Sequence, residues 1–380
     1  MSTAASTKAP SFLAQRLTHL RAAMLQNKIP ADRAGLLVTN FPDVSYLTGF
    51  EGDDSYALIT HDQTFLISDS RYQEQITREA PWVRSIMRQK LIMTEVARQT
   101  HKLKINKLAV QSESLTLAQK ATLQEQLFLA RSPAKILPLK DLVIKLRHIK
   151  DPHEIALIEE AIRIAEGAFV ALKGHLRGGG NLLTENEIAS LLVHEMRKRG
   201  ALNSSFDSIV AIGPNGSLPH YRLQNIQLTN NSPLLIDWGA RYRGYCSDLT
   251  RVLFIGQVPP KIREIYQIVL DAQLASIAAI APGKTGKHVD KVGRDLITKA
   301  GYGKQFGHGT GHGIGRDIHE PISLAKLSTT TLQPGMIITV EPGIYLPGLG
   351  GVRIEDDILV TQSGYRVLSN LPKDLASAQL

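Results

Sequence analysis

The stretch Leu234–Ile255, LLIDWGARYRGYCSDLTRVLFI, constrains the fold of this chain more than any other. Two apolar runs flank Arg241–Gly244, and each carries one acid, Asp237 and Asp248. Read as a hairpin with Tyr242-Arg243 at its tip, the stretch sets these acids directly opposite each other. Opposed residues of an antiparallel pair share a face, with Cβ atoms about 4.5–5.5 Å apart. Two carboxylates held that close in an apolar ribbon repel unless a cation lies between them or one is protonated. For one such pair alone, a solvated surface hairpin would serve as well.

The arrangement recurs. Val340–Val360 reads VEPGIYLPGLGGVRIEDDILV, and a turn at Pro347-Gly348-Leu349 places Glu341 opposite Glu355. Two independent ribbons with opposed acids are hard to explain as surface decoration. Four carboxylates aimed at one point would bind divalent cations, since carboxylate oxygen suits Mn, Mg and Zn. A nitrogen ligand is then expected. Phe306–Glu320, FGHGTGHGIGRDIHE, supplies three histidines among five glycines just before the second ribbon.

At 380 residues the chain exceeds one ordinary core, so two domains are expected. Met1–Pro10 is small and polar and is expected to be disordered, with no long apolar stretch behind it. Residues 11–133 alternate helical and strand patterns. Leu13, Leu17, Leu20 and Met24 repeat at helical spacing, and Tyr56–Thr60 and Thr64–Ser68 flank a turn as a hairpin. The pattern predicts an α/β layered domain with no phosphate loop and no cluster of ligand-type residues. Residues 134–150, with Pro138 and several charges, read as a linker to a second domain at 151–372.

That second domain opens on a long helix capped by Asp151, Pro152 and Glu154, running to a glycine stop at Gly178–Gly180. Thr184 and Glu187 start the next helix in the same way. A strand at Ser208–Ile212 leads past His220 to the first ribbon. Two more helices, about 260–281 and 285–301, precede the histidine loop and the second ribbon. Two helices, an irregular stretch with a histidine and an acidic ribbon therefore occur twice. This predicts an α+β domain with a pseudo-twofold internal repeat and a ligand cleft where the halves meet.

The net charge of +9 comes from 44 Lys and Arg against 35 Asp and Glu. Clusters at Lys102, Lys104 and Lys107, and at Lys145, Arg147 and Lys150, lack interleaved aromatics or a recognition motif, so specific nucleic-acid binding is not expected. No run reaches the length of a membrane span. Cys246 is the single cysteine, which excludes an intrachain disulfide and fits a reducing, cytoplasmic setting. It reads as a buried structural thiol.

Taken together, DWG…D, GHGIG…HE, VEPGIY and GGVRIEDD resemble the pita-bread metallopeptidases, and among them the Xaa-Pro peptidases, prolidase and aminopeptidase P. Residues 11–133 are similar to the creatinase-type N-terminal domain of those members. The resemblance implies that Asp237, Asp248, His312, Glu341 and Glu355 hold two divalent ions, with Asp248 and Glu355 bridging. Manganese is the first expectation, with cobalt, zinc and iron as alternatives. Two such ions can activate a water against a scissile carbonyl, and Glu341 is suited to carry the proton to the leaving amine. The resemblance also implies catalytic, non-ligand roles for His220 and His319, and a place for His308 in the pocket that receives proline. Arg353 lies two residues from Glu355 on one strand face, where it would bind substrate or offset the carboxylates. The expected substrates are short proline-containing peptides and the expected assembly is a homodimer. The alternatives are a creatinase-like hydrolase or a lyase on the same scaffold, a methionine aminopeptidase, and a non-catalytic binding module.

Overall fold

The computed structural model describes residues 8–177 and 183–380. The expected glycine stop at Gly178–Gly180 and residues 1–7 of the expected disordered tail lie outside the described residues. The chain divides into two units, Met1–Arg147 and His148–Leu380.

In the first unit, alternation along each strand decides the layering. Leu36 and Val38 belong to one hydrophobic cluster, with Leu17, Leu20 and Met24 of the helix Ser11–Gln26. Leu37, between them, belongs to another, with Val96 of the helix Ile92–Lys102 and Leu123 of the helix Leu117–Leu129. Successive side chains point to opposite faces, so a sheet apolar on both must be covered by helices on both. The strands are β1 (Ala34–Val38), β2 (Tyr56–Ile59), β3 (Thr64–Ser68), β4 (Arg84–Met87), β5 (Lys107–Gln111) and β6 (Lys135–Leu139), in the order β4-β3-β2-β1-β5-β6.

The stretch expected as a linker thus begins with a strand. β6 pairs in parallel with β5 along its full length. It is an edge strand, where Pro138 is tolerated because one side needs no ladder donor. Arg147 then closes the unit through a buried ion pair with Asp43 at 2.7 Å. Lys150 is likewise buried, paired at 2.8 Å with Glu320 of the second unit's own fold. Two of the three cations of the 145–150 cluster are therefore structural counter-ions and not a basic surface.

The second unit begins as its caps dictate. Glu154 N–H donates to Asp151 Oδ1 at 2.9 Å and Asp151 N–H donates to Glu154 Oε2 at 3.1 Å, starting the helix Pro152–Arg177. Thr184 and Glu187 form the same reciprocal cap on the helix Glu185–Lys198. The strands that follow are β7 (Asn203–Ser204), β8 (Ile209–Ile212), β9 (Pro233–Trp238), β10 (Ala240–Tyr242), β11 (Tyr245–Cys246) and β12 (Leu249–Phe254). The sheet β12-β9-β8 packs on the first helix, where Trp238 stacks on Phe169 at 4.5 Å and its indole N–H donates to Ala165 O at 3.0 Å.

The helices Pro260–Ala278 and Gly286–Lys299 open the second half. They cross closely at Gly293, where a Cβ would stand 2.2 Å from Ser276 Oγ. Then come β13 (Gly311–Gly313), β14 (Glu320–Leu324), β15 (Ile337–Val340), β16 (Gly343–Leu346), β17 (Gly350–Arg353), β18 (Asp356–Val360) and β19 (Tyr365–Val367). They form a sheet β14-β13-β15-β18-β19 and the two-stranded ribbon β16-β17. Two helices followed by an acid-bearing ribbon occur twice, as the sequence predicts. A β-bridge helps to join the halves, where Glu355 N–H donates to Thr250 O at 3.2 Å.

Candidate metal centre

The second ribbon has the expected register. Val340 pairs with Asp356 and Gly343 with Arg353, so Glu341 and Glu355 stand across from each other, and Gly348 takes φ +77° in the loop that joins the strands. The first ribbon does not. Its tip is Arg243-Gly244, both with positive φ (+45° and +79°), the backbone that a two-residue hairpin turn requires. Arg241 pairs with Cys246 and Asp237 with Thr250, two residues away from the register that would oppose Asp237 to Asp248. Asp248 instead occupies the break between β11 and β12, beside the break at Gly239 between β9 and β10. The chains approach so closely there that a Cβ on Gly239 would lie 1.8 Å from Ser247 O. Asp248 lies two residues before Thr250, the partner of Asp237, so strand alternation and not direct pairing sets both acids on one face.

That place is a cavity of about 340 Å³. Asp237, Asp248, His312, Glu341 and Glu355 all line it, and so do His220, His308, His319 and Arg353. Ligand atoms of Asp248, His312 and Glu355 lie within 4.8 Å of one another. His312 Nε2 is 3.5 Å from Asp248 Oδ2 and 3.6 Å from Glu341 Oε1. Its Nδ1 meets Gly313 O at 3.0 Å, which makes Nδ1 the N–H donor and leaves the Nε2 lone pair facing the acids.

Burial first, and then the neighbouring carboxylates, push the protonation of Asp248 and Glu355 well above the ordinary carboxylate range. Glu341 is raised as well, mainly by burial, although His312 and Arg353 oppose the shift. Asp237 Oδ2 accepts from Arg353 Nη2 at 2.5 Å, while its buried Oδ1 has no hydrogen-bond partner. An orphaned carboxylate oxygen among destabilised acids is what a cation would satisfy. The donor set, carboxylate oxygens with one imidazole nitrogen, fits divalent first-row metals.

The other expected residues differ in their surroundings. His308 Nδ1 donates to Gly309 O at 2.7 Å, so Nε2 accepts from Tyr345 O–H at 2.9 Å. Tyr345 in turn accepts from Arg353 Nη1 at 2.8 Å. Burial, helped by Arg353, pulls His308 down to about 4 and keeps it neutral. His319 sits edge-on to His312 with ring centroids 4.4 Å apart and is also lowered, chiefly by burial. His220 is exposed at the cavity wall. The Cys246 thiol contacts Arg316 O and is pushed up to about 12 by burial, so it stays a thiol.

Several residues that fix the site carried no signal in the ribbons. Asp290 accepts from Thr310 N–H at 3.2 Å and from Thr310 Oγ1 at 2.9 Å. Arg294, paired with Asp290, donates to Phe306 O at 3.0 Å and His308 O at 2.6 Å, pinning the glycine-rich loop to its helix. Thr250 Oγ1 donates to Glu355 Oε2 at 2.6 Å and accepts from Arg353 Nε at 3.1 Å. Asp357 accepts from Asp248 N–H at 3.0 Å. Asp290 and Arg294 stand one helical turn apart in the helix Gly286–Lys299, and nothing in that spacing marks them as supports of the site.

Comparison with known proteins agrees with this geometry. The profile of metallopeptidase family M24 matches residues 156–362, and that of the creatinase/prolidase N-terminal domain matches residues 16–149. The uncharacterized peptidase YqhT of Bacillus subtilis (strain 168) is 40% identical over 341 residues, covering 90% of this chain and 95% of that one. The solved Xaa-Pro dipeptidase from Bacillus anthracis is 41% identical, with TM-score 0.89 and coverage of 96% and 99%. The X-Pro aminopeptidase from Thermotoga maritima MSB8 is 34% identical, with TM-score 0.85 and coverage of 92% and 98%. A family match over more than half of the chain, likenesses along nearly its whole length and a cavity ringed by four carboxylates and a histidine place this chain in metallopeptidase family M24, as a peptidase domain behind a creatinase/prolidase-type N-terminal domain.

Proposed function

We propose that this protein hydrolyses the Xaa-Pro bond of short peptides, with two divalent ions held by Asp237, Asp248, His312, Glu341 and Glu355. The observation that carries the reading is the convergence of these donors, including the unpartnered Asp237 Oδ1, on one cavity. Manganese is the proposed metal. Ions bound there supply Lewis acidity toward a water and a carbonyl. The protein supplies the rest. Glu341, whose proton affinity is raised, takes the proton of the attacking water and hands it to the leaving nitrogen. His319 and His220 donate hydrogen bonds to the substrate carbonyl as charge develops on its oxygen. Arg353 fixes Asp237 and, through Tyr345, His308.

A proline after the scissile bond makes a tertiary amide with no N–H, so recognition must come from shape and not from backbone pairing. Phe206, Ile209, Pro219 and Ile318 give the cavity the apolar wall that such a ring needs. The likeness to an Xaa-Pro dipeptidase and to an X-Pro aminopeptidase supports both substrate lengths, and we favour short Xaa-Pro peptides. A homodimer in the cytoplasm completes the proposal and rests on the family resemblance. The test is a matched series of Xaa-Pro, Xaa-Pro-Yaa and Xaa-Ala, assayed with manganese restored to chelated protein. The expected result is metal-dependent cleavage with Xaa-Ala at least about tenfold slower, the discrimination that a shape-matched pocket provides. Equal rates on Xaa-Pro and Xaa-Ala would refute it.

A further inference from the structure

We propose that Glu185 is a positioning residue that holds His220 at the catalytic cavity. The inference rests on the reading of His220 as a substrate-contacting residue. His220 lies in an irregular stretch that follows the short turn Gly213–Ser217 and leads to β9. Its side chain is exposed, so packing does not hold it. The stretch also has open space on both sides. Pro219 and His220 line the catalytic cavity, whereas Tyr221 and Arg222 line a second cavity of about 790 Å³. Its position must come from anchors elsewhere along it.

Arg353 Nη1 donates to Pro219 O at 3.5 Å, and the other side-chain anchors of the stretch converge on one carboxylate. Glu185, in the first turn of its helix, is fully buried and lines neither cavity. Its Oε1 accepts from Ile212 N–H at 3.0 Å and from Asn215 Nδ2 at 2.9 Å. Its Oε2 accepts from Tyr221 O–H at 2.8 Å and from Gln224 N–H at 3.1 Å. Asn215 Nδ2 also donates to Tyr221 Oη at 2.8 Å, closing the network. Four donors from residues 212–224, before and after His220, thus meet one buried acid. Because all four groups donate, only an acceptor with two free oxygens satisfies them. A buried glutamine would aim its own N–H groups at donors and leave them unpaired. Tyr221, next to His220, is held by burial and by this bond in its protonated, donating form. Glu185 acts on the reaction through the loop and not by touching substrate.

The experiment is a double-mutant cycle on the full-length, manganese-loaded enzyme with an Xaa-Pro dipeptide, using Glu185→Gln and His220→Ala. Displacing a positioned group by about 1 Å costs on the order of 10²-fold, so E185Q should lower kcat/KM by about 10- to 100-fold. In the H220A background the same change should cost less than about twofold, because the group that it positions is gone. Hydrogen exchange on unloaded E185Q should show lost protection confined to residues 212–224. Tyr221→Phe removes one of the four donors, keeps the loop's bulk and should give a smaller loss that likewise disappears in H220A. If E185Q does not fold, the Y221F cycle decides. Losses that multiply fully in the H220A background would overturn the proposal, as would wild-type activity of E185Q. Wild-type activity of H220A would instead overturn the reading of His220, and the Glu185 proposal with it.

Discussion

Replacing Asp248 with Asn should make the metal-free protein more stable and the enzyme inactive. Without a metal, Asp248 and Glu355 face each other with ligand atoms within 4.8 Å. At that distance, two ionised carboxylates repel by about 3.5 kcal/mol if the effective dielectric constant is about 20. The wild-type protein escapes part of this by keeping protons, since burial and mutual repulsion raise both groups above the carboxylate range. A group whose folded pKa is raised contributes stability below its unfolded pKa and loses it as pH rises through the folded value. Nearby Asp357, raised to about 8 chiefly by burial, extends that window upward. Metal-free wild type should therefore weaken from about pH 5 to pH 8, as buried acids are forced to ionise. Asparagine keeps the shape and removes one charge. The variant should gain about 1–3 kcal/mol over wild type at pH 8 in chelator, which for a unit of this size is a rise in Tm of about 3–10 °C. The two should converge near pH 5. Adding manganese should reverse the order, because only wild type binds it and gains by mass action. Calorimetry in chelator across that pH range, with metal analysis and an Xaa-Pro assay, tests all of this. A variant that melts below wild type at pH 8 in chelator would refute the repulsion argument.

Further outcomes follow from single contacts. Gly239→Ala forces a Cβ to within 1.8 Å of Ser247 O, so it should cost about 3 kcal/mol or more in urea denaturation and reduce bound metal. Lys150→Met breaks the buried pair with Glu320 and should cost about 3–5 kcal/mol, read from the same unfolding curves. Any DNA binding driven by the net charge of +9 should be weak and fall steeply between about 50 and 200 mM salt in an anisotropy titration. Sequence-selective binding that persisted at the higher salt would overturn that expectation.

The sequence carried the site further than it carried the frame. Acids in apolar strands and histidines among glycines are locally anomalous, so Asp237, Asp248, Glu341, Glu355 and the three histidines of the loop stood out by type and spacing, while the family resemblance singled out His312; one cavity receives all of them. The caps at Asp151 and Thr184 were readable because both partners lie within one helical turn. The first ribbon's register was not. It depends on Arg243 and Gly244 adopting positive φ, and an Arg-Gly tip is a weaker hairpin signal than Asn-Gly, so tertiary pairing of β9 with β12 decides it. β6 was hidden because an edge strand with Lys135 and Pro138 lacks the alternation that marks a strand. Glu185, Tyr345 and Asp290 were invisible for a different reason. Each looks ordinary in its own helix or strand, and its importance lies in partners that only folding brings near.

The bridge between Thr250 and Glu355 has a consequence for how the protein is made. The chain leaves the ribosome with Asp237 and Asp248 long before Glu341 and Glu355 exist. Neither ribbon alone holds enough acids to enclose a cation, and contacts between the halves, the seam at Thr250 among them, set their spacing. A nascent chain halted anywhere before the second ribbon therefore carries half a cage and an uncompensated pair of buried acids. Metal cannot guide the early steps of folding in such a protein; it can only select, at the end, those chains whose two halves have met correctly. Translational pausing or truncation in the second half should therefore yield metal-free, protease-sensitive chains, not partly active ones.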